Sequence, residues 1–141
     1  MQNTILAPAA VLVLWSIVMV IWMASARLPA LKKAGIDMSK AVGGRGADLE
    51  GVLPAEVNWK AHNYAHLMEQ PTIFYATVAI LALAGVGGGI NTMLAWGYVG
   101  IRIVHSIVQS TVNKISIRFP LFVISTLFLA AMAINALRAT I

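Results

Sequence analysis

The sequence predicts an all-α integral membrane protein in which four transmembrane helices form one bundle, a single domain over residues 1–141. Of the 141 residues, 60% are hydrophobic and only 11% are charged, whereas soluble domains carry about 25% charged residues. The apolar residues fall into four segments, each close to the roughly 20 residues that a helix needs to cross a bilayer. Most cationic residues lie at the ends of these segments, as is typical of membrane proteins.

The limits of the four spans follow from the apolar runs and from the turn-forming residues between them. The second span is expected to begin before its apolar part, because Pro54 suits the first turn of a helix. Gly85 should end that span, and Asn91 or Thr92 can cap the next one. The first segment is too long for a signal-peptide core and lacks a basic region before it, so it is expected to be retained. The predicted spans are 5–26, 61–84, 92–112 and 119–137, with a long loop at 28–60.

The ten Lys and Arg residues predict the orientation in the membrane. Arg138 alone lies at the end of the fourth span, and Arg102 lies inside the third. The other eight flank or fill the first and third loops: Arg27, Lys32, Lys33, Lys40, Arg45, Lys60, Lys114 and Arg118. Because cytoplasmic loops are rich in Lys and Arg, both loops are expected in the cytoplasm and both termini on the opposite side of a bacterial inner membrane.

Composition also excludes several classes of function. The net charge of +5 does not indicate nucleic-acid binding, because the cations flank apolar spans instead of forming a stripe with aromatic residues. The chain has no cysteine, so it has neither a thiolate metal ligand nor a cysteine nucleophile. The glycine cluster at 43–46 lacks the strand and the Gly-Lys-Ser/Thr of a phosphate-binding loop. Three histidines without a His-Glu-x-x-His pattern do not predict a metal site.

Two stripes of polar side chains, on the second and third spans, mark the candidate functional site. His62, His66 and Glu69 are spaced i, i+4 and i+7, so they share one helix face, which Asn63 and Gln70 widen by one position. The third span carries a similar stripe: Arg102, His105, Gln109 and Asn113. Since a polar group that faces lipid lacks hydrogen-bond partners, both stripes are expected to face protein or a cavity.

Arg102 is the most informative member of these stripes, because an uncompensated cation at membrane depth costs about 2.5 to 3.5 kcal/mol. Glu69 is the one carboxylate inside an apolar segment, and it lies at a depth similar to that of Arg102. An ion pair between them is therefore predicted, within one chain or between subunits. Pro71 should kink the second span beside Glu69. Two interpretations stay open: the stripes line a ligand-binding cleft, or they hold membrane helices together.

Residues 62–75 resemble the second-helix signature of the MAPEG family, the membrane-associated proteins of eicosanoid and glutathione metabolism. The family pattern is an Arg, an Asn four residues later and a Glu three residues further on. Here Glu69 keeps its place, His62 stands at the Arg position and His66 at the Asn position. The signature is followed by Pro and aromatic residues, as in the family.

The third span strengthens this resemblance. Arg102, His105 and Gln109 are similar to the family's Arg-x-x-Tyr-x-x-x-Tyr, with both tyrosines replaced. The likeness covers the whole chain in length, number of spans and loop lengths, and it identifies a divergent, bacterial-type member. The resemblance implies a homotrimer, and small residues on the third span are expected to allow close contact between helices: Gly97, Gly100, Ser106 and Ser110.

Membership implies a glutathione-dependent transferase or peroxidase, with glutathione between subunits and a hydrophobic co-substrate entering from the membrane lipids. In the family an Arg near the cytoplasmic end of the third helix favours the thiolate, which is the nucleophile. Arg118 lies in that region and is the candidate catalytic residue. The candidate glutathione ligands are His62, His66, Glu69, Gln70, Arg102, His105, Gln109 and Asn113.

Departures from the family pattern keep a second function open. The His at the Arg position, the His at the Asn position and the missing tyrosines remove much of the usual grip on glutathione. The family also includes non-enzymatic members that present lipids to partners. The alternative is therefore a non-catalytic lipid-binding protein or an accessory subunit of a larger membrane complex.

Overall fold

A computed structural model describes residues 3–141, and all regular secondary structure in that range is helical. The five α-helices are α1 (Leu6–Lys33), α2 (Ala55–Leu67), α3 (Gln70–Leu83), α4 (Ile90–Thr111) and α5 (Ile115–Thr140). A short 3₁₀ helix, Gly46–Leu49, lies in the first loop. Because α2 and α3 together occupy the predicted second span, the chain has the expected helical bundle. Two of its helices, α1 and α5, are long and apolar enough to cross a membrane.

The second span consists of two helices because the chain breaks at Met68 and Glu69. Pro71 has no N–H, and its ring would clash with the carbonyl of Leu67 four residues earlier in a continuous helix. Glu69 accordingly leaves the helical region, with φ −85° and ψ −96°. The kink predicted beside Glu69 is confirmed, and it is sharp enough to end one helix and begin another.

Glycine ends α3, as the sequence predicts. Gly85 has φ 76°, a left-handed conformation that glycine adopts without steric cost. The N–H of Val86 then bonds to the carbonyl of Leu81 at 3.0 Å, which closes the last turn of the helix. The chain is thereby reversed into a tight hairpin before α4.

The predicted cap of α4 is wrong. The helix begins at Ile90 after Gly89, so Asn91 and Thr92 lie within its first turn. Their side chains bond backwards into the hairpin instead. Asn91 Nδ2 donates to the carbonyl of Val86 at 2.9 Å, and Thr92 Oγ1 donates to the carbonyl of Gly87 at 3.1 Å.

The helix α4 is central to the bundle, since it packs against α1, α2 and α5. Its inward face carries Tyr98 and Arg102, both 0% exposed. The ring of Tyr98 stacks on Phe74 with 4.4 Å between centroids. Trp15 of α1 donates from Nε1 to Ser106 Oγ at 3.0 Å. The interior of this bundle thus contains both polar and apolar side chains.

Most of the small residues on α4 are used inside the chain. Ser106 and Ser110 are 0% exposed. A Cβ on Gly97 would lie 2.9 Å from the ring of Phe128, so glycine lets α5 approach closely. Gly100 alone has open space around it and remains available for contact with another helix.

The bundle has two distinct ends. The C-terminal ends of α1 and α4 and the N-terminal ends of α2 and α5 lie at what we call the loop end. The α3–α4 hairpin marks the opposite hairpin end. The first loop folds against the loop end, where Arg27 Nη2 donates to the carbonyl of Gly46 at 3.3 Å and Asn58 Nδ2 donates to the carbonyl of Leu49 at 3.2 Å.

Candidate functional site

The second span and α4 run antiparallel and are joined by polar contacts along their length. Each contact involves one residue of the second span and one of α4. From the loop end to the hairpin end the pairs are Lys60 with the Ser110 carbonyl, His66 with Arg102, and Gln70 with Tyr98. The two predicted stripes therefore meet, though not with every predicted residue.

Arg102 is completely buried, and its nearest polar partner is an imidazole. Its Nη2 donates to His66 Nδ1 at 2.8 Å. Within residues 3–141, Nε and Nη1 of Arg102 have no hydrogen-bond partner, and no carboxylate lies within ion-pair distance of the guanidinium. The predicted ion pair with Glu69 does not form within one chain, because the break at residues 68–69 leaves Glu69 exposed. A pair between subunits stays a prediction.

The ring of His66 is held on two sides. It stacks on His105 with 5.0 Å between centroids and 16° between ring planes. Phe122 of α5 meets it edge-on at 5.7 Å. Together with the bond to Arg102, these contacts fix both the position and the plane of the imidazole.

An open cavity of about 200 Å³ lies beside this imidazole, at the loop end of the bundle. Three predicted site residues line it, one from each of α2, α4 and α5: His66, His105 and Arg118. The opposite wall is apolar and comes from the first turns of α5: Ile115, Phe119 and Phe122. Imidazoles and a guanidinium thus face aromatic rings across a space that opens to the outside.

Arg118 is oriented by the turn before its own helix. α4 ends at Thr111, and Asn113 lies beyond it with φ 52°, a left-handed conformation that Asn tolerates better than most residues. The N–H of Asn113 bonds to the carbonyl of Val108 at 2.7 Å, and its Oδ1 accepts a hydrogen bond from Arg118 Nη1. Spacing predicts Asn113 as a member of the α4 stripe, and this prediction is wrong. Asn113 is instead a turn residue that holds Arg118.

Gln70 and Gln109 both face the interior, but only the side-chain oxygen of Gln70 has a hydrogen-bond partner. Gln70 Oε1 accepts from the Tyr98 hydroxyl at 3.1 Å, and its Nε2 donates to Thr126 Oγ1 at 2.9 Å. Gln109 is 4% exposed, yet its Oε1 has no partner within residues 3–141. The same holds for both amide atoms of Asn63, which is 1% exposed.

His62 does not face the bundle. Its Nε2 contacts a carboxylate oxygen of Glu50 in the first loop, and both side chains are about half exposed. The inward face of the second span carries Asn63, His66 and Gln70, so His66 and the two residues that widen the predicted stripe face inwards, whereas His62 and Glu69 do not. The sequence ranked His62 and Glu69 above Asn63 because their spacing with His66 is regular, and charge or family pattern favoured them.

The sequence pattern does not predict the apolar wall of the cavity. Phe119 and Phe122 are spaced i, i+3, one and four residues after Arg118. On a helix, i+4 lies on the same face as the starting residue, so Phe122 could have been placed beside Arg118. Both aromatics were instead counted as part of an apolar span.

Comparison with protein-family models matches residues 5–138 to the MAPEG family. The match includes all of α1, α2, α3 and α4 and most of α5, so it includes the helices that line the cavity. No curated protein and no solved structure matches the chain.

Proposed function

Because the chain belongs to the MAPEG family of membrane proteins, we propose that it is a glutathione-dependent transferase or peroxidase acting on hydrophobic molecules. The observation that carries this proposal is the cavity at the loop end. There, one guanidinium and two imidazoles face an aromatic wall. The arrangement suits a reaction between an anionic thiol compound and an apolar partner.

Arg118 is the proposed activator of the thiol. A cation beside a sulfur atom favours the thiolate, which is the nucleophilic form. Asn113 holds Nη1 of this guanidinium, so the remaining donors of Arg118 can face a ligand. Arg102 is unsuited to that role, because it is buried and already donates to His66.

Glutathione, when bound, supplies the thiol that reacts with the co-substrate. The residues of this chain hold the thiol, line the site and exclude water. Arg118 holds the sulfur as the anion, and the two histidines form the polar wall beside it. Phe119 and Phe122 exclude water and accept the apolar part of the co-substrate. Holding both reactants in one small space also gains the advantage of proximity.

A homotrimer would complete this site. The cavity of about 200 Å³ is smaller than the roughly 300 to 1,000 Å³ of typical ligand pockets, so one chain encloses only part of a tripeptide and its co-substrate. Arg102 also has two unpaired nitrogens, while Glu69 faces outwards. A neighbouring copy that covers the cavity supports the other wall and gives these charges the partners that membrane burial demands.

We also propose a bacterial inner-membrane location with the loop end in the cytoplasm. Eight of the ten Lys and Arg residues lie at that end of the bundle, and the cytoplasmic side of membrane proteins is enriched in these residues. Since the chain lacks cysteine, single cysteines can report its orientation. In sealed inverted vesicles, Ser39→Cys should react with an impermeant maleimide and Thr140→Cys should not. The reverse pattern would contradict this orientation.

The decisive experiment measures the state of the thiol. Glutathione is added, up to millimolar concentration, to the protein in lipid nanodiscs near neutral pH. We expect binding and the ultraviolet absorbance of a thiolate. Arg118→Ala should abolish the thiolate signal, whereas the matched control Arg138→Ala should not, because Arg138 is an exposed cation near the other end of α5. Absence of both binding and thiolate in the unmodified protein would overturn the proposal.

One observation favours the alternative, a non-catalytic lipid-binding or accessory role. A second cavity of about 230 Å³ opens between α1 and the α2–α3 break, with a mainly apolar lining of Val13, Ile17, Val20 and Met68 beside Ser16, Tyr64 and Tyr75. A lipid chain or an apolar helix of a larger membrane complex would fit this chemistry. Copurifying lipid that leaves when Ile17 is changed to Asn, with no glutathione bound, would favour this role.

A further inference from the structure

The contact between Arg102 and His66 determines where the imidazole carries its proton. Arginine has only hydrogen-bond donors, so His66 Nδ1, 2.8 Å from Arg102 Nη2, must be the acceptor. A neutral imidazole that accepts at Nδ1 carries its hydrogen at Nε2. The tautomer of His66 thus follows from the identity of its neighbour.

Nε2 of His66 is free to act on a ligand. Within residues 3–141 it has no hydrogen-bond acceptor, and the His66 ring lines the cavity that Arg118 also lines. The stack on His105 and the edge contact with Phe122 prevent the ring from turning this N–H away. Since Nδ1 points into the bundle, the opposite nitrogen points outwards from Arg102.

We propose that Arg102 is a positioning residue that fixes His66 as a neutral Nε2–H donor, and that this donor stabilises negative charge forming on an oxygen atom of the co-substrate. The inference rests on the proposed function, which supplies the thiol. The donor matters for those apolar co-substrates whose reaction with a thiolate places charge on oxygen, such as unsaturated carbonyl compounds.

The chemistry of such a substrate matches the geometry. The thiolate sulfur forms a bond to the β-carbon of an unsaturated aldehyde, and the electron pair of the C=C bond moves through the conjugated system to the carbonyl oxygen. The resulting enolate oxygen accepts a hydrogen bond from His66 Nε2. Water then supplies the proton that completes the thioether product, so no oxidant or further reactant is needed.

His66 acts here as a hydrogen-bond donor and not as a proton relay. A relay takes up a proton at one nitrogen while it releases one at the other, but Arg102 occupies Nδ1 and has no acceptor. A preorganised donor of this kind contributes about 10² to 10³ in rate in enclosed sites. Because this cavity is open, we expect about tenfold to a hundredfold.

The first test observes the tautomer directly and needs no activity. The chain has three histidines, so ¹⁵N-histidine labelling in nanodiscs gives few signals, and His62→Gln and His66→Gln assign them. At about pH 7 we expect the Nε2–H tautomer alone at His66, and a mixture of both neutral tautomers in Arg102→Leu, which removes the donor to Nδ1. An Nδ1–H tautomer or an imidazolium at His66 in the unmodified protein would overturn the inference, whether or not thiol transfer occurs.

The second test separates hydrogen bonding from packing. His66→Phe keeps a ring between His105 and Phe122 but removes the donor, whereas His66→Gln keeps an N–H near the position of Nε2. With a long-chain unsaturated aldehyde and glutathione, His66→Phe should lower kcat about tenfold to a hundredfold, and His66→Gln should restore most of it. With an alkyl halide, whose charge leaves on the halide, the two variants should be alike.

The outcomes distinguish the inference from the proposed function. Equal losses on both substrates would overturn the donor role of His66. The expected tautomer in a protein that neither binds nor transfers glutathione would overturn the proposed function and leave the effect of Arg102 on His66 supported. Thermal unfolding of each variant shows whether the bundle is retained.

Discussion

The half of the polar interior near the hairpin end and the half near the loop end differ in how many of their buried polar atoms have hydrogen-bond partners. In the hairpin half, Gln70 bonds to both Tyr98 and Thr126, and Asn135 Nδ2 donates to Asn91 Oδ1 at 2.7 Å. In the loop half, buried polar atoms of seven residues have no partner within residues 3–141: Arg27, Asn58, Asn63, Arg102, Gln109, Ser110 and Arg118. In the hairpin half of the described chain, the Tyr75 hydroxyl is the one buried polar side-chain atom without a partner, so the unpaired atoms are concentrated in the loop half.

The polar stripes were open to two interpretations, contacts that hold the helices together or the lining of a ligand-binding cleft. The difference between the two halves supports the first for the hairpin half and the second for the loop half. Polar side chains that bond to one another across helices hold a membrane bundle together, which describes the hairpin half. Buried polar atoms without partners are rare and require water, a ligand or another subunit. The candidate site lies in this second half.

The largest effect is expected for the charges at the boundary of the loop half. If Glu69 of a neighbouring subunit pairs with Arg102, then Glu69→Gln or Arg102→Leu alone should destabilise the protein by about 3 to 5 kcal/mol, because each strands a buried charge. The double variant should lose less than the sum of the two. Unfolding of all four proteins in one detergent measures this, and simple additivity would show that the residues do not interact.

Paired glutamine substitutions compare the two halves directly. Gln70→Leu removes the partner of the Tyr98 hydroxyl and should cost about 1 to 3 kcal/mol, since buried polar groups are left unpaired. Gln109→Leu removes an oxygen that has no partner in the chain, so the expected change is near zero. Equal losses in unfolding experiments would mean that Gln109 is satisfied by something outside one chain, such as a subunit or bound water.

Two glycines of α4 provide a similar comparison for packing. Gly97→Ala places a Cβ 2.9 Å from the ring of Phe128 and should destabilise by about 1 to 3 kcal/mol through overpacking. Gly100→Ala meets open space in one chain and should stabilise by up to about 1 kcal/mol, since alanine favours the helix. A loss of stability or of trimer in Gly100→Ala would instead indicate that another subunit contacts this position.

The smallest effect is expected for His62, which the sequence placed among the glutathione ligands. Its contact with Glu50 is half exposed, and exposed ion pairs contribute about 0 to 1 kcal/mol. His62→Gln should therefore change the unfolding temperature little and leave any thiolate signal of bound glutathione unaltered. Loss of that signal would return His62 to the site, through a neighbouring subunit or a movement of the first loop.

The sequence predicted those parts of the fold that depend on local backbone chemistry. Pro71 predicts the interruption of the second span because its ring and missing N–H act wherever it lies in a helix. Gly85 likewise predicts the end of α3. The family match adds the helical bundle, which its members share.

The site was predicted less well because it depends on rotation and on contacts distant in sequence. The break at residues 68–69 interrupts the helix, so periodic spacing across it no longer gives a common face. Glu69 therefore lies outside the bundle although it is only three residues from His66, which faces Arg102. Asn113 was counted with the α4 stripe because spacing alone does not show where the helix ends. The polar stripes on the second span and α4 predict that His66 and His105 lie close together, whereas Arg118 of α5 is a candidate only through the family resemblance.

Few other amino acids suit position 113, because its residue must adopt a left-handed backbone conformation and must also accept a hydrogen bond from Arg118. The left-handed backbone favours Gly, Asn and Asp, while Arg118 needs a neutral side-chain acceptor. Glycine would keep the turn and release the guanidinium. Aspartate would keep the turn and the contact with Arg118, but its carboxylate would neutralise the cation that the proposed thiolate requires. Asparagine alone among these three meets both demands, so the sharpest constraint on this cavity lies in a turn residue that does not line it.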